Sequence, residues 1–244
     1  TIIYALGKSS QQVASFLLLP LYTRFLTPND YGILSLVNFF TGFAGLIFVL
    51  GTNSSVFRFY RKSDDKEQQK EACYSSLILV SVWSFIIILI LFPLRNSISI
   101  LLFDTAEYGW YVMIGLCTTA FTSISSIPMY ILRAEEKSSL FVVNNFMYML
   151  LRVGLGITFV VVLQRAALGA LEAACIATLI FTIYLLYYRF RKTDFGFSLK
   201  TLIKILKYGS PLVLYGFGWM IMSASDKYFL KEYSSLEEVG IYTV

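Results

Sequence analysis

Arg152 stands in the middle of a long apolar run, in the stretch Asn145-Phe-Met-Tyr148-Met-Leu-Leu-Arg152, with apolar neighbours on both sides. Spacings of three and four residues put Asn145, Tyr148 and Arg152 on one side of a helix. A charge at membrane depth is costly and normally faces water, a partner or a ligand. Such a set is suited to recognising a charged or polar guest. A cavity-facing Arg152 is the preferred reading, and a buried structural ion pair is the other. Arg24 and Arg58 lie nearer the ends of their runs, where a long side chain can also snorkel to the interface, so both alternatives stay open there. Asp226-Lys227 reads as an internal pair or a gate. Glu172, a few residues into its run, reads as a helix-start carboxylate.

Arg58 also ends a polar stripe, Asn38, Thr41, Gly45, Thr52, Ser55 and Arg58, spaced by three, four or seven. Thr119, Thr122, Ser126, Tyr130 and Arg133 form another, and Lys8, Gln12, Ser15 and Tyr22 a third. Ser, Thr, Asn and Gly on such stripes serve helix packing, in which they bond between helices. Repeated on several helices of one bundle, they are also what a shared wet cavity requires. Enzymatic alternatives find little here. The chain has no His, so imidazole base catalysis and imidazole metal ligation are absent. Cys73, Cys117 and Cys175 are odd in number, far apart and set in apolar runs, which suits packing better than a disulfide or metal framework. No cofactor or metal site is expected, and no nucleic-acid partner.

The elements that must position these residues are membrane helices. Residues are 57% hydrophobic and 14% charged, and mean hydropathy is +0.69, outside the range of ordinary soluble domains. A spanning helix takes about 20 mostly apolar residues. Such runs occupy roughly 3–26, 33–57, 72–94, 107–132, 139–163, 167–189 and 209–230, with another opening at 239. They are continuous, without the alternation of a membrane β-strand. The expected fold is an all-α polytopic membrane bundle.

Lys and Arg gather in alternate connections, at Arg58–Lys70, Arg133–Lys137 and Arg189–Lys207, against Arg24, Arg95 and Arg165 in the others. The positive-inside rule then puts the N-terminus and the basic connections in the cytoplasm. Leu199, Leu202, Ile203 and Leu206 share one helical face and Lys200, Lys204 and Lys207 another, which predicts an interfacial amphipathic helix or a basic loop. Pro20 and Pro211 sit inside the first and seventh runs, as static kinks or as points of bending.

The turn at Thr27-Pro28-Asn29-Asp30 predicts a helix start, with Thr as cap, Pro at the first helical position and Asp three residues on. Ser235–Thr243 echoes it: Thr27, Asp30, Gly32, Ile33 and Ser35 align with Ser235, Glu238, Gly240, Ile241 and Thr243. Six helices separate the copies, so the repeats are parallel. The expected organisation is a six-helix lobe at 1–190, a cytoplasmic amphipathic linker at 191–208 and the start of a second lobe at 209–244. The chain reads as the N-terminal portion of something longer.

The turn YTRFLTPNDYGILSL, Phe57-Arg58-Phe59-Tyr60, Asp226-Lys227-Tyr228-Phe229-Leu230 and the closing Glu238-Val-Gly-Ile-Tyr242 together resemble bacterial polysaccharide transporters. Those are the lipid-linked oligosaccharide flippases of the multidrug/oligosaccharidyl-lipid/polysaccharide superfamily. The resemblance implies two six-helix lobes in a V around a cavity, in a MATE-like arrangement that alternates between inward-open and outward-open states. It implies a non-enzymatic protein of the bacterial inner membrane that turns an undecaprenyl-pyrophosphate-linked oligosaccharide to the outer leaflet for O-antigen, capsule or exopolysaccharide assembly. Arg24 and Arg58 match motif positions at which relatives place cations. A permanent charge with a planar fork of donors suits a pyrophosphate. On this reading Arg24, Arg58, Arg152, Asn38, Asn145 and Tyr148 bind substrate, while Asp226, Lys227, Pro20 and Pro211 couple or gate. The implied partners are the bilayer, an H+ or Na+ coupling ion and a polysaccharide polymerase complex. A cation-coupled drug antiporter of the same fold is the alternative, and a membrane polymerase or glycosyltransferase a more distant one.

Overall fold

The computed structural model describes residues 22–63, 65–191 and 195–233 together with Leu18 and Glu238; in the last helix, side chains are described through Met222 and at Phe229. The described regular structure is helical: α1 (Pro28–Val49), α2 (Thr52–Lys62), α3 (Lys66–Phe103), α4 (Gly109–Ala134), α5 (Ser138–Gly156) running into a wider π-turn segment (Ile157–Val162), α6 (Ala166–Phe190) and α7 (Leu199–Tyr233). Among the described residues, five stretches are long and apolar enough to cross a membrane: α1 with α2, α3, α4, α5 with its π segment, and α6. They correspond to the second through sixth runs expected from sequence. Most of the first run, including Pro20, and all of the second copy of the turn except Glu238 lie outside the described residues.

The turn before α1 is built as its residues dictate. Thr27 Oγ1 accepts from the Asp30 amide at 3.2 Å, and Asp30 Oδ2 accepts from the Thr27 amide at 2.9 Å. Pro28 occupies the first turn, where no amide donor is needed. This reciprocal cap satisfies donors that would otherwise be left free at a helix start.

The second run is not one helix. α1 stops at Leu50 and Gly51, both left-handed with φ of 50° and 67°, and α2 restarts at Thr52. Apolar surroundings demand that the freed carbonyls find donors. Trp83 Nε1 donates to Ile47 O at 2.9 Å, Thr52 Oγ1 to Val49 O at 2.6 Å, and Ser55 Oγ to Gly51 O at 3.1 Å. The interruption changes which residues share a face. Thr52 and Ser55, expected on the same stripe as Asn38 and Arg58, are fully buried, and Ser55 Oγ also reaches Ile205 O of α7 at 3.0 Å.

α4 lies at the centre. It packs against α1, α2, α3, α5 and α6 and is the most enclosed of the five spans, α3 the least. Close approach is bought with small residues: a Cβ at Gly115 would stand 2.7 Å from Val37 Cγ1 and 2.9 Å from Thr41 Cγ2. Against α6, where Ala173 and Ala177 are buried, Thr182 Oγ1 donates across to Phe121 O at 3.0 Å. Packing of this kind holds helices together where lipid offers no hydrophobic drive.

α7 runs unbroken for 35 residues through Pro211, so the amphipathic segment and the seventh run form a single rod. Ile205 is its fully buried residue at the basic end, while Leu199 and Ile203 are exposed. Thr201 Oγ1 donates to Glu71 Oε2 at 2.8 Å and the Ser198 amide to Ser75 Oγ at 3.1 Å, fastening its start to α3. Gly51 and Gly209 bring the α1–α2 break and α7 into backbone contact; a Cβ on Gly209 would stand 2.5 Å from Leu50 O.

Candidate functional site

Three cavities lie along α4 and share lining residues, adjoining as one groove in which polar side chains are set into a largely apolar lining. The first, about 320 Å3, lies between α1, α2 and α4 and is lined by Asn38, Thr41, Gly45, Asn53 and Thr119 among others. Thr122 and Ser126 line both it and the second, about 480 Å3, which lies between α4, α5 and α6. Tyr130 and Arg133 line both the second and the third, about 570 Å3, which is bounded by α2, α4 and α7. Each residue of the expected stripe Thr119, Thr122, Ser126, Tyr130 and Arg133 thus faces the groove. An unbroken helix keeps its period.

The hydroxyls along this groove are held by their own helix. Thr119 Oγ1 donates to Gly115 O at 2.9 Å, Thr122 Oγ1 to Thr118 O at 2.8 Å and Ser126 Oγ to Ser123 O at 2.7 Å, and Ser126 Oγ also lies 2.6 Å from Asn53 Oδ1 of α2. Each oxygen keeps acceptor capacity toward the open side. In the second cavity Asn145 Nδ2 donates to Phe141 O at 2.8 Å, and the Tyr148 hydroxyl lies 3.0 Å from Thr178 Oγ1. The Tyr148 and Phe181 rings lie 4.8 Å apart, centroid to centroid.

The third cavity is cationic. Arg58, Arg61, Lys62 and Arg133 line it beside Tyr130 and Tyr208. The Arg58 guanidinium lies 4.5 Å from the Tyr208 ring centroid, a contact that holds a long side chain in place without neutralising it. Arg133 sits among Tyr130, Phe57 and Phe141, at 5.4, 5.9 and 5.9 Å from their centroids. Arg61 is paired with Glu136 at 3.0 Å, both side chains being exposed, so this pair contributes little to stability.

A second polar network, partly buried, ties α2 and the end of α4 to α6. Glu135, in the connection after α4, accepts from Tyr60 of α2 at 2.6 Å and from Arg189 of α6 at 2.7 Å through Oε1, while Lys137 lies 2.6 Å from Oε2. Burial alone would raise the Glu135 carboxyl; hydrogen bonds from Lys137, Tyr60 and Arg189, with the Arg189 charge, outweigh it and lower the pKa from 4.5 to about 2. A carboxylate depressed in this way contributes stability that is present above its unfolded value and is lost as pH falls through the window from 4.5 to about 2. Glu135→Gln, which leaves the Arg189 charge buried beside a neutral amide, is expected to cost roughly 3 kcal/mol near neutral pH. It is also expected to flatten the acid limb of the melting temperature against pH in detergent. An unchanged acid limb would show that the carboxylate does not carry it.

Of the residues expected to bind substrate, Asn38 lines the first cavity, Asn145 and Tyr148 the second and Arg58 the third. Arg24 and Arg152 are exposed and line none of the three. Asp226 and Lys227 fall in α7, and their side chains lie outside the described residues. Pro211 is exposed within α7. Glu172 pairs with Arg165 at 2.6 Å. Sequence reasoning left Arg61, Lys62 and Arg133 among the loop charges that fix orientation, and left Asn53 aside because the break shifts the lining face of α2. The end of the α4 stripe at Arg133 was the signal for the most central of them. Among the described residues no group of three Cys, Asp or Glu side chains is placed to hold a metal.

The five spans and their packing make this a multi-pass helical membrane protein whose fold is similar to that of the MOP-superfamily transporters. The likeness runs to solved structures. One is an outward-facing multidrug resistance MATE family transporter of the MOP superfamily (TM-score 0.75, 20% identity, covering 99% of this chain and 57% of that one). Another is a MOP superfamily transporter from Pyrococcus furiosus described by the reverse polarity of its binding pocket (TM-score 0.74, 22% identity, 94% and 53% covered). A third is MATE in the straight conformation (TM-score 0.76, 19% identity, 99% and 57% covered). The chain belongs to the polysaccharide biosynthesis protein family, whose pattern matches residues 1–244. No curated protein matches it. The chain spans a little over half the length of the solved structures it resembles.

Proposed function

We propose that the protein is a flippase that carries an undecaprenyl-pyrophosphate-linked oligosaccharide from the inner to the outer leaflet of a bacterial inner membrane by alternating access. The observation that carries this reading is the groove itself: hydroxyl- and amide-lined along α4 and ending in Arg58, Arg61, Lys62 and Arg133. A pyrophosphate must lose water to cross a low-dielectric layer, and arginine replaces that water with a permanent charge and paired donors. The basic end is the cytoplasmic one on this reading, so the cations receive the anionic head where the carrier is loaded. Residues 1–190 form the first six-helix half, 191–208 link it and 209–244 open the second. Asp226 is the coupling carboxylate for H+ or Na+, with Lys227 beside it and Pro20 and Pro211 as bending points. O-antigen, capsule or exopolysaccharide assembly would draw on the product, in company with a polymerase. The protein performs no bond chemistry.

Arg24 and Arg152 enter this reading as exposed cations outside the three cavities. Arg152→Ala is expected to abolish polysaccharide export while leaving membrane insertion intact; normal export by this variant removes the residue from the mechanism. The activity itself is tested with the full-length protein in vesicles, following loss of inner-leaflet labelled prenyl-pyrophosphate saccharide with and without an ion gradient. No loss above protein-free vesicles would overturn the reading. Cation-coupled drug extrusion shares the fold, but four cations at one mouth repel a cationic drug.

A further inference from the structure

The basic mouth accounts for a phosphate, and the 480 Å3 cavity is the adjoining stretch of the same groove. That cavity is of a different character. Its lining joins the Tyr148–Phe181 ring pair and Phe141 with the hydroxyls of Ser125, Ser126 and Thr178 and the Asn145 amide, the Thr178 hydroxyl lying 3.0 Å from that of Tyr148. Among the described residues its only cation is Arg133. Apolar ring faces beside hydroxyls and an amide match the two aspects of a pyranose, whose axial C–H faces are apolar and whose edges carry hydroxyls.

Arg133 joins the two spaces. Of the rings around its guanidinium, Phe57 lines the basic mouth, Phe141 lines the inner cavity and Tyr130 lines both. We propose that the cavity between α4, α5 and α6 is an uncharged-saccharide subsite and that Arg133 couples it to the anion-binding mouth. The first sugar packs on Tyr148 and Phe181 and exchanges hydrogen bonds with Asn145 and Thr178, while the phosphate attached to it stays within reach of Arg133 and Arg58. Specificity for the sugar then resides in α5 and α6, and affinity for the carrier in α2 and α4. This rests on the flippase reading for the linkage between sugar and phosphate, but not for the sugar site itself.

The test uses the full-length protein in detergent and three probes: farnesyl pyrophosphate, farnesyl pyrophosphate bearing one N-acetylglucosamine, and a soluble oligosaccharide released from the host's own surface polysaccharide. Wild type is expected to bind the sugar-bearing farnesyl probe about tenfold more tightly than the bare one. Tyr148→Leu and Thr178→Val are expected to erase that difference while leaving bare farnesyl pyrophosphate unchanged, and Arg133→Gln to weaken both farnesyl probes. Tyr148→Phe, which keeps the ring, retains most of the difference and guards against a folding defect. Equal loss of both farnesyl probes in Tyr148→Leu, or no loss of either, overturns the subsite. If wild type binds neither farnesyl probe yet binds the free oligosaccharide in a Tyr148-dependent way, the flippase reading falls and the subsite stands.

Discussion

Gly209→Val is expected to lower the apparent melting temperature of the solubilised protein by roughly 6–12 °C, corresponding to about 3 kcal/mol. The cause is backbone rather than side chain. A Cβ at this position meets Leu50 O at 2.5 Å and Gly51 C at 3.0 Å, and neither can rotate away. The partner position makes the same prediction from the other side, because Gly51→Ala places a Cβ on a left-handed residue against the Gly209 backbone; the conformation alone costs about 1–2 kcal/mol for an L-residue. Gly218→Ala is the control. Nothing lies within 4 Å of a Cβ there, so its melting temperature should equal or slightly exceed that of wild type, alanine being the better helix former. Equal melting temperatures for Gly209→Val and Gly218→Ala would show that the two backbones do not meet as described.

The second large effect concerns the cations. Arg58→Gln with Arg133→Gln is expected to weaken binding of farnesyl pyrophosphate by more than a hundredfold, since each lost charge-assisted hydrogen bond is worth about 1.5–3 kcal/mol. Arg58→Lys should fall in between, keeping the charge but not the planar fork. Tyr208→Leu releases the ring that holds the Arg58 guanidinium at 4.5 Å and should reduce affinity by less than either charge removal. Raising the salt concentration should weaken wild type more than the double variant, because the mouth is exposed enough to be screened. Binding that is indifferent to both arginines and to salt would take the anion out of the mouth.

How much of this could be read in the residues depends on whether the determining contact is local. The cap at Thr27 and Asp30 was legible because its partners are three residues apart. The α4 stripe was legible because nothing interrupts the helix between Thr119 and Arg133. The stripe on the second run failed at Leu50-Gly51. A leucine and a glycine inside an apolar run look continuous, and their left-handed conformation goes with contacts distant in sequence, the close approach of Gly209 and the Trp83 hydrogen bond, beside the local Thr52 and Ser55 bonds. As a result Thr52 and Ser55 turn inward and Asn53 takes their place. Arg189 was counted as a loop charge, although it is buried against Glu135, 54 residues away, and only the assembled fold brings them together.

The unbroken course of α7 has a mechanical consequence. At 1.5 Å per residue the rod is about 52 Å long, with about 15 Å from Leu199 to Gly209 and about 36 Å from there to Tyr233. Its short arm is fastened to α3 through Glu71 and Ser75, and the two glycines mark its closest backbone approach to the α1–α2 break. Were the rod to tilt there without bending at Pro211, each ångström of shift at the basic end would move the far tip about 2.4 Å in the opposite direction.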